Sequence, residues 1–343
     1  MTEEKKTNIQ NLEGGDLYFG TLRQQEEILA QIEKTQPLLS DPIETITLLN
    51  QYSKEHKFYK RLQVISKNFP LIRTVRGDGN CFYRSFFYKL FEYLIETRNE
   101  SEINRVGELL IKLRKELNSF FDPFTMQMFC DEVQSVFDQI KVGFVITPDP
   151  EEFDWGFSQN KNEKENEKEI NEKENEIKKE KEQTNEKENQ IEKKKEKEKK
   201  KEKEKEKEKE KEKEQEQEPQ PFTKEKLIEI FRDKFRSSSI IAYGRFVTAI
   251  TLQKNAGLYG SFLTGFTTID SEVKSNVLPM NKESDTLHIH ALTSVFLENY
   301  PICIKSLDGN SETGTDVQFP SEAKEDPLFY LFYRPGHYDI LLK

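Results

Sequence analysis

The sequence predicts an α+β domain. Three observations carry the prediction: apolar residues recur at helical spacing through the middle, short aromatic and β-branched runs bounded by Gly and Pro close the chain, and a Lys/Glu tract interrupts it without offering anything to a core. Of the 343 residues, 34% are charged and 34% hydrophobic, but the excess charge is local. Between Lys161 and Glu218, 58 positions hold 21 lysines and 23 glutamates, with Ile170, Ile177 and Ile191 as the hydrophobic residues. Such a stretch cannot offset its ordering entropy by burial and is expected to be disordered. The other 285 residues carry 32 Lys and Arg, 40 Asp and Glu and all 38 aromatics, an ordinary globular composition.

The chain thus divides into a mobile segment over 1–20, a first part of the folded domain over 21–156, the low-complexity insert over 157–220 and the second part of the domain over 221–343. Leu22, Ile28, Leu29 and Ile32 predict an amphipathic helix over Thr21 to Lys34, stopped by Pro37. Ile43 to Tyr52 and Phe58 to Phe69 show the same spacing, and Pro70 ends the second. Arg76-Gly77-Asp78-Gly79-Asn80 is a cluster of turn formers, and the dense aromatic run Cys81 to Ile95 that follows reads as a buried helix. Helical periodicity continues through Ile103 to Phe120 and Phe124 to Ile140, and resumes with Leu227 to Phe235 and Ile240 to Leu252. From about Leu287 the pattern turns to strands: Ile302 and Ile304 alternate with Cys303 and Lys305, and Leu328 to Tyr333 and His337 to Leu342 are short runs between Gly and Pro. Helices first and strands last imply a helical layer packed on one mostly antiparallel sheet. Within the insert, Lys-Glu alternation from about Lys199 to Glu214 sets like charges at i,i+4 against opposite charges at i,i+3, so it reads as a solvated spacer, with a docking tract for a partner as the alternative.

Charge and cysteine usage narrow the function. Without the insert the net charge is −8, which argues against a nucleic-acid surface. Met1 to Gln10 is polar, and 18 apolar residues never run together, so a soluble cytoplasmic protein is expected, the nucleus being a second compartment, with no membrane partner. Cys81, Cys130 and Cys303 are an odd count at wide spacings without a CxxC pair, which fits a reducing compartment and predicts neither cofactor nor metal.

Cys130 sits in the helical run Met126, Met128, Phe129, Val133, and Cys303 within a strand, where a thiol simply packs. Cys81 follows a Gly-containing turn at the start of a helix, where free N–H groups and the positive dipole end favour a thiolate. The same turn leaves the amides of Asp78 and Cys81 available to an oxyanion. For a base the chain offers His56, His288, His290 and His337. His337 follows Pro335-Gly336, and Asp339 lies two residues on, on the same strand face, so Cys81, His337 and Asp339 can form a nucleophile, base and orienting acid. Asp78 has a side chain suited to bonding nearby amides. His288 and His290 share a face by period-two spacing without a third ligand, and read as wall or core residues.

Gly77-Asp78-Gly79-Asn80-Cys81-Phe82-Tyr83-Arg84-Ser85-Phe86 and Tyr333-Arg334-Pro335-Gly336-His337-Tyr338-Asp339-Ile340-Leu341 together resemble the otubain family of OTU-type deubiquitinating cysteine proteases. Pro279 to Asp285, with His288 and Ala291-Leu292, is similar to the family's segment ahead of its ubiquitin-facing strand. The family's pattern after Ser284-Asp285 shows His-Ile-His-Ile where this chain has Thr286-Leu287-His288-Ile289. The resemblance implies a papain-like OTU fold and hydrolysis of the bond between a ubiquitin C-terminus and a lysine, with ubiquitin or polyubiquitin as partner. The alternative is a non-catalytic binder of ubiquitin or of a ubiquitin-conjugating enzyme on the same fold, with the Thr21 to Lys34 helix either making that contact or packing on its own domain.

Overall fold

Strands from both ends of the chain build one six-stranded sheet, and the helices between them cover it. The computed structural model describes residues 23–142, 221–265, 267–297, 300–307 and 315–343. The segment 1–20 and the insert 157–220, with the expected boundaries at 156 and 220, lie outside the described residues. Helix α1 covers 23–35, with most of its surface exposed and Leu29 and Ile32 half-buried. Strand β1 (Leu39–Glu44) leads through a 3₁₀ turn (Thr45–Gln51) to α2 (Lys57–Asn68) and β2 (Leu71–Val75). Four long helices, α3 (Cys81–Thr97), α4 (Glu100–Phe120), α5 (Pro123–Val142) and α7 (Lys234–Lys254), with the shorter α6 (Lys224–Arg232), form the middle. Short helical turns then precede α8 (Thr286–Phe296), β3 (Ile302–Ser306), β4 (Asp316–Phe319), β5 (Tyr330–Arg334) and β6 (His337–Leu342).

The sheet order is β1-β2-β6-β5-β3-β4, antiparallel at every pair except β3 with β5. The predicted helices are present except over Ile43 to Tyr52, the three predicted strands are present, and four expectations change. Ile43 to Tyr52 is the end of β1 followed by a 3₁₀ turn, because its apolar spacing buries just Thr45, Leu48 and Leu49 within a single short turn. β1 and β2 join the sheet from the N-terminal half, because β2, Leu-Ile-Arg-Thr-Val, is a short β-branched run that buries Ile72 and Val75 between neighbours. β1 carries Pro42 and a register shift, features an edge strand tolerates, and they hide its period. The stretch from Leu287 opens as helix α8 rather than strand, started by Asp285, whose side chain accepts from His288 N while His288 accepts from Asp285 N.

Alternation along the strands sorts two cores. Tyr338 and Ile340 of β6 and Leu331 of β5 face a large aromatic core built on α3, where Phe82 meets Tyr338, Phe86 meets Phe296 and Tyr88 meets Phe231. Leu341 of β6, Phe332 of β5 and Ile72 of β2 face a smaller cluster with Leu62 and Ile65 of α2 and Leu48 and Leu49 of the 3₁₀ turn. The sheet is therefore covered on both faces, where one helical layer was expected. Among the described residues no helix is long and apolar enough to cross a membrane.

Candidate active site

Cys81 is the first residue of α3 and is buried. Asn80 occupies the N-cap position, but its side chain makes no cap bond, so the first-turn N–H groups are not taken by it. As the opening helical residue, Cys81 keeps a backbone N–H that the helix does not use, at the positive end of the dipole. Among the described residues the N–H of Asp78 likewise donates to no protein acceptor. From the facing hairpin, Tyr338 N donates to Cys81 Sγ at 3.4 Å.

The hairpin supplies the other two groups. Pro335 and Gly336, the latter at φ +78°, make a two-residue turn that sets His337 directly opposite Arg334 and Asp339 opposite Phe332. His337 Nε2 lies 2.7 Å from Asp339 Oδ1, and the imidazole also interacts with Cys81. Burial opposes the charged imidazolium, but the bonds to Asp339 and Cys81 outweigh it and push the His337 pKa up to about 9. Asp339, fully buried, accepts from Arg334 Nη2 at 2.7 Å and Val75 N at 2.9 Å as well. Burial raises its pKa, yet His337, Arg334 and the Val75 amide together hold it below the ordinary carboxylate range.

The turn before Cys81 is fixed from several sides. Asp78 accepts from Asn80 N at 3.0 Å and binds Arg84 in two-point fashion at 3.0 and 2.9 Å. Gly79, at φ +77°, packs so tightly that a Cβ there would stand 2.5 Å from the Asn281 backbone. Gln36, just past α1, accepts from Gly77 N at 2.9 Å and from Arg76 Nε at 2.8 Å.

The other histidines have structural partners. His56 caps α2 by accepting from Phe58 N. His290 Nδ1 meets Tyr259 Oη at 3.2 Å. His288 is buried in α8, where Glu272 and Asp285, neither of them foreseen, stand close enough to share an ion with it. Its Nδ1 accepts from Asp285 N and its Nε2 faces Glu272 Oε1 at 3.0 Å as donor, which leaves no ring lone pair for a metal. Cys130 and Cys303 are buried, and burial pushes both thiols above their usual pKa.

The structure thus brings Cys81, His337, Asp339 and the Asp78 turn together. The sequence reading missed Arg334, although a two-residue hairpin puts it opposite His337 and diagonal to Asp339. It also missed Gln36, for which no local pattern gave a signal, and it took Asn281 only as part of the 279–285 segment without a role.

The Peptidase C65 Otubain family matches residues 31–150 and 165–343. The chain is 24% identical to ubiquitin thioesterase OTUB1 of Rattus norvegicus over 94% of this chain and 89% of the rat protein. It is 25% identical to the OVARIAN TUMOR DOMAIN-containing deubiquitinating enzyme 1 of Arabidopsis thaliana over 92% of this chain and 83% of that one. A solved h/ceOTUB1–ubiquitin aldehyde–UBCH5B~Ub complex shares the fold, with a TM-score of 0.65 at 20% identity over 96% of this chain and 98% of the solved one.

Proposed function

This chain belongs to the otubain family of C65 peptidases, and from that premise we propose how its own residues carry the chemistry. It is a cysteine-type deubiquitinating peptidase, as its similar proteins are ubiquitin thioesterases and deubiquitinating enzymes. Cys81 is the nucleophile, His337 the base and Asp339 the acid that orients it. The carrying observation is that the hydrogen bond of His337 to a fully buried carboxylate uses Nε2 and so turns the ring's other nitrogen toward Cys81.

His337 Nδ1 takes the thiol proton, and the sulfur adds to the carbonyl carbon at the ubiquitin C-terminus. The amides of Asp78 and Cys81 receive the developing oxyanion. As the intermediate collapses, the proton passes from Nδ1 to the departing lysine amine, leaving a thioester. Water, deprotonated by Nδ1, then releases the ubiquitin carboxylate and restores the thiol. Asp339 stays ionised throughout and holds the ring orientation. Ubiquitin is the substrate and a ubiquitin-conjugating enzyme a further partner, in keeping with the solved complexes that contain ubiquitin aldehyde with UBCH5B~Ub or UBC13~Ub. The exposed α1 is the element available for that second contact.

Incubation with a ubiquitin C-terminal electrophile tests the assignment. One adduct is expected on Cys81, and Cys81→Ser should abolish both adduct and turnover while leaving ubiquitin affinity intact. An adduct on Cys130 or Cys303 would refute it.

A further inference from the structure

Arg245, in the middle of α7, is 1% exposed and has no carboxylate among its hydrogen-bond partners. A buried guanidinium is normally neutralised, because an unpaired buried charge costs several kcal/mol, on the order of a whole domain's margin. This one is solvated by oxygens of two loops instead. Nη2 donates to Gly79 O at 3.0 Å, Asn80 Oδ1 at 2.8 Å and Lys282 O at 2.6 Å, and Nη1 donates to Val277 O at 2.9 Å. The guanidinium lies 4.8 Å from the ring of Tyr83, two residues past Cys81.

The loops so joined flank the nucleophile. One is the turn Gly77 to Asn80, and the other runs from Val277 toward Ser284, whose carbonyl accepts from Tyr338 Oη at 3.5 Å. They touch back to back through two left-handed residues, Gly79 at φ +77° and Asn281 at φ +62°. Asn80 completes the join: Oδ1 accepts from Asn281 N at 3.0 Å and Nδ2 donates to Asn281 Oδ1 at 2.8 Å. A strong N-cap residue has been drawn away from capping α3, and the cation holding its Oδ1 is Arg245.

We propose that Arg245 is a positioning residue for the hydrolysis assigned above. It locks the Gly77–Asn80 turn to the Val277–Lys282 loop, so that the amides before Cys81 meet the scissile carbonyl in one fixed geometry. The inference rests on Cys81 acting as the nucleophile with those amides as oxyanion donors. Arg245 acts through carbonyl oxygens, and its loss displaces the donors without touching the Cys81–His337 pair.

Arg245→Lys keeps the charge but cannot reach four acceptors in a fork. Turnover of a ubiquitin fluorogenic substrate should fall in kcat by about 10²-fold, with KM within about threefold, since small misplacements at the reacting centre cost that much. Inhibition by ubiquitin aldehyde, whose adduct with the sulfur develops an oxyanion, should weaken in parallel with kcat. Iodoacetamide supplies the contrast. There the sulfur bonds carbon as iodide leaves, no oxyanion forms, and the alkylation rate of Cys81 should stay within about twofold of the parent.

An Arg245→Lys enzyme with parental kcat, or one whose alkylation falls in step with kcat, overturns the proposal. The second outcome marks a merely structural residue. If Arg245→Lys does not fold, Asn281→Gly decides, since it keeps the left-handed backbone and removes only the bond from Asn80 Nδ2. A kcat loss of about fivefold with unchanged alkylation supports the clasp, and an unchanged kcat overturns it. Retained turnover in Cys81→Ser would sink the nucleophile assignment itself, an outcome distinct from either.

Discussion

His337 is the residue on which the pH behaviour turns. Its pKa in the fold, about 9, lies above the ordinary imidazole value of 6.5. The imidazolium therefore stabilises the folded state fully below the ordinary value, and that contribution is lost as pH rises through 9. The depressed Asp339 works in the opposite sense, stabilising above the ordinary carboxylate pKa of 3.8 and ceasing to do so as pH falls below it. In the proposed mechanism the His337 proton goes to the leaving amine, so kcat/KM should decline on the alkaline side near pH 9. Asp339→Asn removes the bond at Nε2 and the negative charge that favour the imidazolium, so the proton on the other ring nitrogen is lost at lower pH. A pH–rate profile should show the alkaline limb moved toward neutrality and kcat lowered on the order of 10²-fold, more than KM rises. Asp78→Asn should differ in kind. Its backbone amide stays, so kcat falls less, but Arg84, with a side chain 2% exposed, loses its carboxylate, and denaturant unfolding should report about 3 kcal/mol lost. A larger kcat loss in Asp78→Asn than in Asp339→Asn would show the acid assigned to the wrong end of the chain. That Cys81, His337 and Asp339 come together was legible because a turn, four histidines and a two-residue spacing single them out. Arg245 was not, since its acceptors lie between 32 and 166 residues away and only the folded chain assembles them.

Among the elements, α4 was readable because an apolar stripe, Ile103, Val106, Leu110, Leu113 and Leu117, repeats over its turns, whereas α3 and α7 are buried on nearly every side and were readable from the length of their apolar runs. Short elements were not. β1 and β2 offer five or six residues each, too few for a period to show against neighbouring helical spacing. The two histidines at Leu287 to His290 mimicked alternation, whereas the deciding signal was Asp285 three residues before His288. Element packing also sets a limit on sequence. Gly244 of α7 lies against α3, where a Cβ would meet Phe87 Cε2 at 2.5 Å and Tyr83 Cδ1 at 3.0 Å. Alanine would gain about 1 kcal/mol of helix propensity, but neither ring can step back in so filled a core. Overpacking should dominate, and thermal unfolding of Gly244→Ala should show a net loss of about 1–2 kcal/mol. An equal or raised melting temperature would mean that α3 and α7 can part more easily than their contacts imply.

At the scale of the whole molecule, the order of elements announced the class. It could not announce that the two ends of the chain would share a sheet, since pairing of β2 with β6 leaves no local mark. Removing Lys161 to Glu218 deletes three hydrophobic residues. Turnover of a ubiquitin substrate should therefore stay within a few-fold of the parent and the melting temperature near it, whereas a chain that no longer folds would show that the insert contributes contacts. The deletion lies wholly inside the loop that β2 and β6 close. The connection it shortens is that between α5 and α6, from about 80 residues to about 20, and because closure entropy grows only with the logarithm of length, this should stabilise the fold by about 1 kcal/mol.

That closure bears on how the enzyme comes into being. The bond from Val75 N to Asp339 Oδ1 spans 264 residues, and it lies in the seam between β2 and β6. The helices have local contacts and can form early, but a pairing of such sequence separation is among the slowest a chain makes. Asp339, the orienting acid proposed above, therefore gains its Val75 partner only when the sheet closes. After dilution from denaturant, helical circular dichroism should recover first, and hydrolytic activity should return with the slowest refolding phase. A partly folded chain with its helices complete would then be unable to cut anything.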